Sequence, residues 1–233
     1  MSVKIHEIQN DKLKITPFKM SNDGIIPDVE PPLPNNYGFF MLLVGSPGSG
    51  KSTLWLNLIT NKEKHGYYKK FDKIHIFSNS LKTITRKIHL PEDRLHDGIG
   101  DLEETIESIK DTEDKVLLII DDCVTDLKSP DYVLKLIYNR RHLAGGISII
   151  ITTQVYNKIA LAIRKASNTL VMFATGNKKE IASVYQDFMN IPEKEYNAIV
   201  TYCFKNGSHD FMVYQTSTGR FFHNFNPLEI EFE

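Results

Sequence analysis

Gly45-Ser46-Pro47-Gly48-Ser49-Gly50-Lys51-Ser52, set directly behind the apolar run Phe39-Phe40-Met41-Leu42-Leu43-Val44, decides the fold of this 233-residue chain. It fits the pattern G-x-x-x-x-G-K-[ST]; the run before it predicts a strand and residues 51–64 predict a helix. The glycines let the loop double back, so that successive backbone N–H groups point at a phosphate from a helix N-terminus. Lys51 adds a positive charge for the outer phosphates, and the Ser52 hydroxyl supplies one oxygen ligand for Mg²⁺. The candidate nucleotide-binding residues are Gly45, Ser46, Pro47, Gly48, Ser49, Gly50, Lys51, Ser52 and Thr53.

A magnesium nucleotide also needs a carboxylate beyond the end of a neighbouring strand. Val116-Leu117-Leu118-Ile119-Ile120 is an apolar run of the kind buried on both faces of a parallel sheet, and Asp121-Asp122 follows it. Asp121 is the candidate metal-side acid beside Ser52, and Asp122 the candidate base for an attacking water. Another apolar run, Ile147-Ser148-Ile149-Ile150-Ile151, leads through Thr152-Thr153 to Gln154, where a parallel sheet opens toward its ligand. Gln154 is a candidate to donate to the γ-phosphate or to position water. Arg140-Arg141-His142 closes a helix predicted over 132–139, and either arginine is a candidate to reach a neighbouring subunit's nucleotide, with Arg164 a further one. Each has a plainer reading: acids open turns after core strands, polar residues end strands toward solvent, and arginines complement the dipole of a helix end.

Around these motifs, residues 73–78 predict a second strand, 101–110 a helix with Leu102, Ile106 and Ile109 on one face, 158–166 a helix, 169–174 a strand and 178–188 a helix. Region 81–100 has no clear period and reads as a surface excursion. Strands alternating with helices argue a three-layer α/β domain around a mostly parallel sheet. Beyond it, 198–204 and 210–215 read as β runs around Asn206-Gly207, a turn signal that predicts a C-terminal β-hairpin. Residues 1–36 end in a proline-rich stretch and read as an extended arm. The expected division is an arm over 1–36 and one domain over 37–233, its core about 37–190 and a β-rich extension about 191–233.

Lys and Arg total 28 against 29 Asp and Glu, a net charge of −1, so any polyanion site must be a local patch. The candidates are Lys62, Lys64, Lys69, Lys70 and Lys73 after the loop helix, and Lys82, Arg86 and Lys87 after the second strand. The eight histidines show no metal-ligand spacing, and Cys123 and Cys203 read as buried apolar residues of a reducing compartment. Trp55, one turn into the loop helix, reads as core. The polar N-terminus does not resemble a secretory signal.

Residues 39–52, 116–122, 139–142, the run into Gln154 and Ile163-Arg164, in this order, resemble the poxvirus A32-like genome-packaging ATPases of large DNA viruses, part of the FtsK–HerA division of P-loop ATPases. The resemblance spans about residues 37–190. It implies a five-strand core ordered 5-1-4-3-2, ATP and Mg²⁺ as cofactors, and a homo-oligomeric ring, pentamer or hexamer, that drives double-stranded DNA into a preformed capsid. It also implies capsid or inner-membrane vertex proteins as partners and a place in the host-cell cytoplasm at viral assembly sites. The broader division carries Asp-Glu where this chain has Asp121-Asp122, and the shorter side chain reaches less far toward water. A P-loop nucleoside or nucleotide kinase and a non-hydrolysing, nucleotide-gated assembly protein are the alternatives.

Overall fold

The computed structural model describes residues 24–62, 66–84, 88–126, 130–207 and 209–231. Nine strands form one sheet among them: β1 (Phe40–Val44), β2 (Lys73–Ser78), β3 (Leu95–Asp97), β4 (Val116–Asp121), β5 (Ile147–Thr153), β6 (Thr169–Phe173), β7 (Phe211–Gln215), β8 (Arg220–His223) and β9 (Asn226–Pro227). Their order is β3-β2-β4-β5-β1-β6-β7-β8-β9. The expected 5-1-4-3-2 core lies inside it as β6-β1-β5-β4-β2, all parallel. β3 extends one edge in parallel, and three antiparallel strands extend the other.

The apolar strands carry no polar alternation because both faces are covered. Phe40, Leu42 and Val44 of β1, with Val116, Leu118 and Ile120 of β4, face one cluster. Helices α3 (Leu102–Ile109), α4 (Pro130–Asn139), α5 (Leu161–Lys165), α6 (Lys178–Phe188) and α7 (Glu193–Cys203) contribute to it. Met41, Leu43, Leu117 and Ile119 face the opposite cluster, shared with α1 (Lys51–Thr60) and the four-residue α2 (Leu81–Ile84). This is the three-layer arrangement expected of a parallel sheet.

Three local expectations are corrected. The window 198–204 is not a strand: it is the second half of α7, which starts after Pro192 with Glu193 and Glu195 in its first turn. Tyr196, Ile199, Val200 and Cys203 are buried at helical spacing. Their burial, roughly 1.5–3 kcal/mol for each large side chain, outweighs a strand preference spanning only about 1 kcal/mol. Asn206-Gly207 therefore turns a helix into β7, and the terminal hairpin is β7–β8, closed at Gly219 with φ 67°.

Region 81–100 is also more than a surface excursion: α2 and β3 lie in it, and Ile84, Ile88 and Ile99 are buried. A three-residue edge strand is too short to show a period, and β3 exists through its pairing with Ile76, Phe77 and Ser78. Residues 24–36 do not run extended. They fold back, with Ile25 bridging Asn36 and Ile26, Val29 and Leu33 buried. Residues 1–23 lie outside the described residues, as do Lys64, Arg86 and Lys87 of the basic clusters. In the first cluster, Lys70 pairs with Asp28 and Lys73 with Asp114. No helix among the described residues is long and apolar enough to cross a membrane.

Candidate functional site

β1 delivers the chain to the loop at the C-terminal edge of the sheet. Gly45 N–H donates to Thr153 O of the neighbouring strand at 3.1 Å. A Cβ at Gly45 would lie 2.5 Å from Ser49 Oγ and 2.8 Å from Phe173 Cβ, so only glycine fits. Gly50 enters α1 with φ 110°, a left-handed conformation that a side chain would strain. Lys51 is buried, and its Nζ donates to Gly45 O at 2.6 Å and Ser46 O at 3.2 Å. Burial pulls its pKa below the usual lysine value, and the charges of Asp122 and then Asp121 partly restore it.

Asp121 ends β4 and is buried. Sheet register sets it between Ser78 of β2 and Thr152 of β5. Its carboxylate accepts from Ser52 Oγ (3.2 Å), Trp55 Nε1 (3.0 Å), Ser78 Oγ (3.3 Å) and Thr152 Oγ1 (2.8 Å). Four donors hold one acid in a single orientation, as a buried carboxylate requires. Ser52 and Asp121 thus touch across 69 residues of sequence.

The next residue faces outward. Asp122 is exposed and adopts φ 58°, uncommon for a side-chain-bearing residue, and its N–H donates to Thr152 Oγ1 at 3.0 Å and Thr152 O at 3.3 Å. Its carboxylate accepts a hydrogen bond from Gln154 Nε2. A cavity of about 280 Å³ carries Lys51, Ser52, Asp121, Asp122 and Gln154 on its walls. Ser46, Pro47 and Gly48 form the exposed tip of the loop, and Thr53 opens the exposed side of α1.

The arginines are elsewhere. Arg140 lies at the N-terminal end of the parallel strands, opposite the loop. It is buried, donating through Nε to Gly38 O (2.7 Å), through Nη1 to Ile137 O (2.5 Å) and through Nη2 to Asn168 Oδ1 (3.0 Å). This corrects its candidacy as a residue reaching into another subunit: the guanidinium is enclosed and ties α4 to β1 and β6. Arg164 is likewise held, by Asp187 at 2.9 Å, Asn157 at 3.1 Å and the Tyr156 ring. Arg141 is exposed, beside Gly38.

Sequence reading missed Ser78, Thr152 and the indole N–H of Trp55 as partners of Asp121. The signal was present, since Ser78 and Thr152 are polar residues at the ends of apolar strands, but only strand order puts them on either side of Asp121. Also missed was a second cavity, about 980 Å³, lined by Gly48 to Thr53 together with Pro32, Phe211 and Phe225.

Among the described residues no cluster of three or more His, Cys, Asp or Glu side chains could hold a metal by itself. Ser52 and Asp121 offer hard oxygens in mutual contact, which fits Mg²⁺, an ion bound through one or two protein groups plus the phosphates of its nucleotide.

A model of the poxvirus A32 protein family matches residues 33–201. No curated protein matches the chain. Among solved structures, the DNA-packaging ATPase B204 from Sulfolobus turreted icosahedral virus is 16% identical, with a TM-score of 0.57 over 83% of this chain and 99% of that one. The genome-packaging NTPase B204 of Sulfolobus turreted icosahedral virus 2, in complex with sulfate, is 19% identical, with a TM-score of 0.56 over 84% and 100%. The cytoplasmic domain of the Thermomonospora curvata type VII secretion ATPase EccC is 14% identical, with a TM-score of 0.54 over 83% of this chain and 24% of that one. At these identities the likeness shows the fold.

Proposed function

The chain belongs to the poxvirus A32 protein family, and we propose that it is the ATP-hydrolysing motor that drives double-stranded viral DNA into a preformed capsid. The observation that carries this reading is the convergence of Ser52, from the first turn of α1, with Asp121, Asp122 and Gln154, from the ends of β4 and β5, around one lysine-bearing phosphate loop. The solved packaging NTPases of the same fold support the substrate class.

The backbone N–H groups of the loop and the Lys51 ammonium hold the phosphates, and Ser52 and Asp121 hold Mg²⁺. When bound, that ion neutralises charge on the phosphate oxygens. Asp122 takes the proton of the attacking water as its oxygen bonds to the γ-phosphorus and ADP leaves. Gln154, in contact with Asp122, orients that water. A buried acid for the metal and an exposed acid for water are two roles set by opposite directions of adjacent side chains. This division favours hydrolysis over transfer to a small acceptor.

In a ring of five or six subunits, Arg141 is the exposed member of the helix-terminal pair. It lies beside Gly38, at the end of the sheet opposite the phosphate loop, so its trans role requires a ring that brings that end to a neighbour's nucleotide. The motor acts on DNA at cytoplasmic assembly sites with capsid or vertex proteins as its dock. Lys51→Ala should abolish ATP turnover and leave empty capsids; full packaging by that variant would refute the function. ATP turnover with and without double-stranded DNA, alongside a mass measurement of the oligomer, tests the coupling and the ring. Mixing Lys51→Ala with Arg141→Ala subunits tests the trans role: an arginine acting across subunits should restore part of the activity.

A further inference from the structure

The two cavities at the phosphate loop share Gly48, Lys51, Ser52 and Thr53, and otherwise differ in chemistry. The smaller holds the two acids and Gln154. The larger, about 980 Å³, has a mainly apolar lining, with Glu30, Asn57, Asn61 and His209 among the aromatic and aliphatic side chains, and lies at the upper end of the volumes that enclose small ligands. A triphosphate on the shared residues, with its γ-phosphate toward Asp122, directs its other end into the larger cavity.

We propose that this larger cavity seats the nucleoside of the triphosphate, with the base between the Phe211–Phe225 pair on one wall and Pro32–Leu33 on the other. The inference rests on the nucleotide reading above and adds what the loop motif does not contain. Phe225 is 46% exposed although large and apolar. Its ring meets Phe211 edge-on at 5.4 Å, and Phe211 meets Phe173 at 5.2 Å, so an aromatic row runs from the cavity mouth toward the loop.

The row is held in place before any ligand arrives. Phe211 N–H donates to Asn224 Oδ1 at 3.0 Å and Asn224 N–H to Phe211 O at 2.8 Å, which fixes the turn that presents Phe225. His209 Nδ1 lies 3.1 Å from Ser49 O, tying this terminal segment to the phosphate loop. The Pro32 segment is held as well: Gln215 Nε2 of β7 donates to Pro32 O at 3.2 Å, and Tyr67 OH donates to Pro34 O at 3.0 Å. The wall residues thus come from both ends of the domain, outside the stretches that carry the phosphate chemistry. Every base has a π-face, and an aromatic partner contributes through it without a matching hydrogen bond.

The test is equilibrium binding by the full chain, with Mg²⁺, of two probes: ATP and inorganic tripolyphosphate, which lacks a base and a sugar. Phe225→Ala should weaken ATP about tenfold and leave tripolyphosphate unchanged, and Phe225→Tyr, which keeps the ring, should bind ATP as the native chain does. Lys51→Ala should lose both probes. A Phe225→Ala chain that binds ATP as tightly as the native one, or loses both probes in parallel, overturns the base seat. A native chain that binds neither probe overturns the nucleotide reading itself.

Discussion

Thr152→Val removes one hydroxyl and keeps the shape of the side chain, yet that hydroxyl joins the two acids of the site. Thr152 Oγ1 donates to Asp121 Oδ1 at 2.8 Å and accepts from Asp122 N–H at 3.0 Å. A hydrogen bond to a charged acceptor contributes about 1.5–3 kcal/mol and a neutral one about 0.5–1.5 kcal/mol. Asp121 keeps Ser52, Trp55 and Ser78, and Asp122 N–H keeps Thr152 O at 3.3 Å, so the lower end of each range applies. The expected loss is about 2 kcal/mol, or a melting point lower by roughly 4–8 °C for a domain of this size. Asp122 also loses part of what holds its left-handed backbone, so ATP turnover should fall by about tenfold or more. Thermal melts without nucleotide and steady-state phosphate release read the two effects separately. Thr152→Ser, which keeps the hydroxyl, should recover most of both. A Thr152→Val chain that melts and turns over as the native one does would show that the joined acids are not coupled through Thr152.

Arg140→Ala strips Gly38 O, Ile137 O and Asn168 Oδ1 of their shared donor and should cost about 3 kcal/mol or more in urea unfolding; an unchanged midpoint would contradict its structural role. Burial lowers the Lys51 pKa, so the ammonium deprotonates below the ordinary lysine value. ATP binding should therefore weaken as pH rises toward about 10.4, with nucleotide-free stability rising over the same window because the unfolded chain holds the proton longer; Lys51→Met should show neither limb in titration and melting series. His75 is buried beside His96 at 3.2 Å, and burial, then the His96 charge, pulls it down to about 4. The unfolded chain takes up this proton first, so stability drops as pH falls from about 6.5 to 4, by up to about 3 kcal/mol; His75→Gln should flatten that limb relative to the native chain in urea titrations.

Much of the site was legible because its chemistry depends on short range. The phosphate loop is one continuous segment whose glycines answer local needs, and Asp121-Asp122 announces itself by following a fully apolar run. Gln154 was visible for the same reason. The residues that make Asp121 work were harder to see, since Ser78 and Trp55 become relevant only when β2 lies beside β4 and α1 packs over both. Arg140 was misread because a helix-terminal arginine looks alike whether it faces solvent or three carbonyl and amide oxygens. The window 198–204 misled because β-branched residues suit a strand in isolation, and only the sheet face beneath α7 selects the helix.

By itself, the order of loop, apolar runs and acids determines a parallel α/β domain that holds a phosphate, because those elements follow from hydrophobic pattern and backbone conformation along a few residues. The tertiary structure decides which acid is buried and which faces water, which arginine is enclosed, and that Pro32 and Phe225, from opposite ends of the domain, close around one cavity. Those outcomes depend on strand order and register, in which each partner is chosen by burial across the whole sheet, and no local window contains that information.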